Sequence, residues 1–114
     1  MTTINDLVGK TFTNVHTDAD CEIMVFEGTE GNFRFFHQED CCERVSIEDV
    51  CGDLQDLVGV PILSAQENSN QSDTDDGDEQ WTFYIFRTIR GTVIVRWYGS
   101  SNGYYSTSVS LERY

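Results

Sequence analysis

Basic side chains are nearly missing from most of this chain. Lys10, Arg34 and Arg44 are the three found in the first 80 residues, against 19 Asp and Glu, a formal charge of −16. The last 34 residues reverse the sign: Arg87, Arg90, Arg96 and Arg113 against Glu112 give +3, and the two parts sum to the net −13. Binding to DNA, RNA or an anionic membrane draws on Lys and Arg to displace condensed counterions, so such partners are excluded as direct ligands. A basic protein surface is attracted instead. Long apolar runs are absent as well, and none approaches the roughly 20 residues of a membrane span. The opening MTTINDLVGK has no apolar core of a signal peptide, so a cytoplasmic protein is expected. In that compartment Cys21, Cys41, Cys42 and Cys51 are expected to be free thiols.

What the chain does contain is enough for one domain. It has 114 residues, 39% apolar and 12% aromatic, which fill a single modest core over 1–114. An internal echo organises it. Asp6-Leu7-Val8-Gly9 recurs as Asp56-Leu57-Val58-Gly59, dividing the chain into halves of about 1–50 and 51–114. Each copy closes a short helical segment, near Ile4 to Val8 and Asp53 to Val58, with Asn5 or Asp53 as a cap. Each is followed by a short strand (Thr11 to Val15, Pro61 to Ala65), a polar acidic loop and three strands in hairpin order. These are Glu22 to Glu27, Asn32 to Gln38 and Glu43 to Glu48, then Trp81 to Ile89, Thr92 to Tyr98 and Tyr104 to Leu111.

Alternation puts Phe33, Phe35 and His37 on one face, and Val93, Val95 and Trp97 opposite Ile94, Arg96 and Tyr98. Strands apolar on both faces belong to a sheet covered on both sides or mated with another chain. The expected architecture is mainly β: two similar antiparallel meanders, packed as a sandwich or half-open barrel, with two short helices. Residues 67–80 contain no apolar side chain and are expected to form a mobile loop.

Reactive residue types concentrate in His37-Gln-Glu-Asp-Cys-Cys-Glu43. His37 with Cys41 or Cys42 has loose zinc spacing, but no Cys-x-x-Cys pair exists, and Cys21, Cys51 or His16 would have to complete four ligands. No metal or other cofactor is therefore expected. A nucleophilic thiolate needs an electropositive setting, and Glu39, Asp40 and Glu43 supply the opposite. In the acidic run, placing Gly77 at the sixth position of a calcium loop puts Phe83 where a Glu is required, so that motif fails. The segment Arg96-Trp-Tyr-Gly-Ser-Ser-Asn-Gly-Tyr-Tyr105 carries the residue types that dominate interface hot spots.

The strings His37-Gln-Glu-Asp-Cys-Cys-Glu-Arg-Val-Ser-Ile-Glu-Asp49 and Arg96-Trp-Tyr-Gly-Ser-Ser-Asn-Gly-Tyr-Tyr-Ser106 resemble a family of small, uncharacterised proteins of bacteriophages and their hosts. The likeness extends from Leu7 to Leu111. It implies no known activity and no catalytic residues. It does imply a mobile-element setting, where small acidic proteins often inhibit host defences by occluding a nucleic-acid-binding groove.

The resulting expectation is a binding protein rather than an enzyme, docking on a basic, nucleic-acid-handling host protein such as a nuclease. Its contact residues are expected to be Glu39, Asp40, Glu43, Glu48 and Asp49, with Trp97, Tyr98 and Tyr104 as aromatic anchors. Three alternatives are an immunity-type inhibitor of a basic toxin, a metal- or cysteine-dependent enzyme on the His37–Glu43 hairpin, and a structural phage component. Strands apolar on both faces also admit pairing with a second copy of the chain.

Overall fold

The computed structural model describes residues 2–37, 44–74, 77–101 and 108–114, with 71–74, 77 and 78 described by backbone alone. Its strands are β1 (Asn14–Thr17), β2 (Ile23–Gly28), β3 (Gly31–Phe36), β4 (Arg44–Cys51), β5 (Ser64–Thr74), β6 (Gly77–Thr88), β7 (Gly91–Ser101) and β8 (Ser110–Arg113). They form two four-stranded antiparallel sheets, β1-β2-β3-β8 and β4-β7-β6-β5. The helical segments are single 3-10 turns, Ile4–Leu7 and Leu54–Leu57. Asp53 caps the second by accepting the Gln55 amide at 2.9 Å. In the first, Thr3 rather than Asn5 holds the N-cap, and its amide donates to Asp6 at 2.9 Å. Asx and Thr side chains satisfy orphan amides in this way at the start of a turn too short to satisfy its own.

Inward-facing side chains alternate along each strand and meet between the sheets. Phe26 and Phe35 of the first sheet pack on Phe86 and Tyr84 of the second, with ring centroids 4.6–5.9 Å apart. Val93, Val95 and Trp97 complete the buried stripe of β7. The geometry is that of a sandwich, with tilted aromatic pairs that add to area burial.

The halves correspond element by element, and their registers show how. Gly9 N donates to Ile62 O at 2.8 Å, and Gly59 N donates to Phe12 O at 2.9 Å. Each donor and acceptor in the second bond stands 50 positions from its counterpart in the first. Both glycines have positive φ, +84° and +79°, which a side chain disfavours. The repeated Asp-Leu-Val-Gly thus closes each 3-10 turn and crosses to the other half, with Leu7 and Leu57 both fully buried.

Two expectations change. Neither sheet is one half by itself: each joins the first three strands of one half to the fourth strand of the other, β8 beside β3 and β4 beside β7. Of the expected loop 67–80, residues 67–74 and 77–80 are strand. They are the distal ends of β5 and β6, paired from Glu67↔Tyr84 to Thr74↔Gly77. Val15 pairs with Phe26 and Ala65 with Phe86, so the second hairpin is longer by ten residues. A strand needs backbone pairing, and β6 supplies it along its full length. The missing apolar side chains go with an extension of the hairpin whose residues 67–70 are exposed.

Candidate functional site

The two outer faces of the sandwich differ. On the first sheet, His16, Val25, Arg34 and Glu112 lie in one cross-strand row. Polar side chains there are paired: His16 Nε2 donates to Glu27 Oε1 at 2.7 Å, and Arg34 pairs with Glu112. The Arg34 guanidinium also lies over the Phe36 and Tyr114 rings at 5.0 and 5.4 Å.

On the second sheet, alternation turns Thr82, Tyr84 and Phe86 inward and leaves Trp81, Phe83 and Ile85 half-buried on the outside. Their register neighbours on β7 are Tyr98, Arg96 and Ile94, also on the outer face. Three rows result: Asn70-Trp81-Tyr98-Ser46, Asn68-Phe83-Arg96-Asp49 and Gln66-Ile85-Ile94-Cys51. The centre is aromatic and aliphatic, and the flanking strands β5 and β4 supply amides, hydroxyls and carboxylates. Trp81 and Tyr98 rings sit 5.3 Å apart at 54°.

A bulge sharpens the β4 rim. The register shifts between Ile47 and Asp49, which leaves both Glu48 and Asp49 exposed where strict alternation would expose one. Glu48 Oε1 meets Arg96 Nη2 at 2.8 Å. Arg96 Nε is buried and has no hydrogen-bond partner among the described residues. Partial desolvation, then a hydrogen bond to Glu79 and the charges of Glu79 and Glu48, hold the Tyr98 hydroxyl above its ordinary pKa. Tyr98 is therefore a neutral donor at physiological pH.

The face runs into a cleft of about 420 Å³ lined by Asp20, Glu22, Arg44, Ser46, Tyr98 and Ser100. At its mouth the carboxylates of Asp18, Asp20 and Glu22 lie within 4.8 Å of one another. Asp18 Oδ1 is already occupied by the amides of Glu22 and Ile23, at 2.7 and 3.0 Å. The Cys21 carbonyl ties this turn to β4 by accepting the Ile47 amide at 2.6 Å.

Of the expected contact residues, Glu48, Asp49 and Tyr98 come together on this face. Glu39, Asp40, Glu43 and Tyr104 lie outside the described residues, as do Cys41 and Cys42. Trp97 is a correction. It is 1% exposed, on the inner face of a central strand, and cannot touch a partner. It shares its stripe with Val93 and Val95, which the other sheet covers. His37 Nδ1 donates to the Ser108 carbonyl at 2.7 Å. Of its other proposed co-ligands, His16 is engaged with Glu27, while Cys21 and Cys51 are exposed free thiols. The sequence reading missed Trp81, Phe83 and Ile85. Their signal was the second apolar stripe of β6, offset by one residue from the core stripe.

Two stacked four-stranded antiparallel sheets define the class: a β-sandwich with a half-buried aromatic row on the outer face of its second sheet. Residues 5–111 match the family described as Domain of unknown function (DUF7448), and the chain belongs to it. Neither a curated protein nor a solved structure was found to match. Among the described residues no helix is long and apolar enough to cross a membrane.

Proposed function

We propose that this protein is a small acidic binding protein whose second sheet docks on a basic, nucleic-acid-handling protein. In the mobile-element setting that its motifs resemble, the effect is inhibition: carboxylates stand where phosphates would lie, and the partner's groove is occluded. The observation that carries this reading is the outer face of β6 and β7. Trp81, Phe83, Tyr98 and Arg96 form a centre of hot-spot residue types, rimmed by Glu48, Asp49 and Glu79. The net charge of −13 would steer a cationic partner towards it.

The test is a kinetic series on a nuclease captured from host lysate, across salt from about 0.1 M to about 1 M, over which the Debye length falls from ~10 to ~3 Å. Glu48→Lys is expected to slow association and flatten its salt dependence. Trp81→Ala, which removes a hot-spot aromatic, is expected to speed dissociation by about tenfold or more. Salt-independent affinity with both variants silent would overturn the reading and leave the negative charge a solubility device.

A further inference from the structure

A second recess lies between the sheets, away from the aromatic face. It is a cavity of about 230 Å³ walled by Ile4, Phe35, Val109 and Leu111, with Glu67 and Tyr84 as its charged and phenolic members. Thr2 and Thr3 also line it, and among the described residues no basic side chain does. The Tyr84 hydroxyl donates to Glu67 Oε1 at 3.4 Å, a long bond that leaves the carboxylate with free acceptor capacity. The Phe35 and Tyr84 rings lie close by, centroids 4.6 Å apart and tilted at 52°.

The repeat shows what is particular to this place. Glu67 pairs in register with Tyr84, and the same position in the first half holds Thr17 opposite Met24. A polar pair with an ionisable carboxylate therefore replaces a neutral pair, at the position where a cavity opens. Burial of Tyr84, followed by the charge and hydrogen bond of Glu67, pushes its phenol pKa well up, so Tyr84 stays a neutral donor.

We propose that this cavity binds a small organic cation, an ammonium group on a compact apolar body. The apolar walls would take the body by area burial. Glu67 would accept from the ammonium. Among the described lining residues none offers an anion a positive charge. A neutral ligand forfeits the ion pair. The site does not depend on the docking face and would operate whether or not a protein partner is found.

Phenethylammonium and its neutral isostere 2-phenylethanol are suitable probes, followed by two-dimensional amide NMR on the full chain. The expected result is saturable shifts confined to the amides around Glu67, Tyr84, Val109 and Leu111, with the ammonium bound about tenfold or more tightly than the alcohol. Glu67→Gln should bring the two affinities together while the melting temperature holds. Val109→Trp, which fills the cavity, should abolish both. Shifts spread over the acidic surface, equal affinity of the two probes for the natural chain, or undiminished discrimination in Glu67→Gln would each overturn the proposal.

Discussion

Tyr84 shows how one side chain couples packing to protonation. It is 2% exposed, its ring belongs to the aromatic core, and its hydroxyl is held by Glu67. Burial first and the neighbouring carboxylate second raise its pKa above the ordinary value of 10.0. The fold therefore favours the protonated phenol. The stability this gives is fully present below the unfolded value, near pH 10, and is lost as pH climbs beyond it towards the folded value. A titration of phenolate absorbance should show that, of the five tyrosines, Tyr84 stays un-ionised until the chain unfolds. Tyr84→Phe should flatten the alkaline fall in melting temperature, and an unchanged slope would refute the assignment. Trp97 teaches a related lesson. Alternation separated it correctly from Tyr98, but both stripes of β7 are apolar. Which one the other sheet covers depends on contacts that no local pattern encodes.

Among the elements, the β5–β6 hairpin is where sequence and structure diverge most, and the reason is physical. Residues 67–80 contribute no apolar side chain, so hydrophobic periodicity is silent there. The segment is held by backbone pairing with its own partner strand. The repeat, the two short turns and the strands of the core were legible because each carries apolar spacing or a capping residue. The exchange of fourth strands was not, since β4 and β8 are equally good neighbours for either meander until both sheets exist. Replacing Asp73 to Asp78 with Asn-Gly gives the Ser72↔Glu79 pair a two-residue turn. That variant loses four aspartates, taking the net charge from −13 to −9. It is expected to fold with a melting temperature changed by only a few degrees, because a loop-length change of this size alters closure entropy by less than about 1 kcal/mol. Association with a basic partner should slow and become less salt-sensitive. Loss of cooperative unfolding on calorimetry would show that the hairpin end does more than extend an edge.

At the scale of the whole molecule, exchanged fourth strands bind the halves into one cooperative unit. Each half carries a strand that completes the other's sheet, and the Gly9 and Gly59 amides cross between them as well. Fragments 1–52 and 53–114 should each be largely unfolded alone and recover the native far-ultraviolet signal when mixed. Independent folding of either fragment, or failure of the mixture to reassemble, would contradict this. The unlike outer faces carry their own consequence. The first sheet sets the Arg34–Glu112 pair beside the Phe36 and Tyr114 rings near its edge, while the second sets the Trp81–Tyr98 rings on its central strands with the Arg96–Glu48 pair next to them. Docked through β6 and β7 as proposed, a copy would leave the face of the first sheet to the surroundings. On that proposed docking the molecule would serve as a cap, ending a surface instead of extending it.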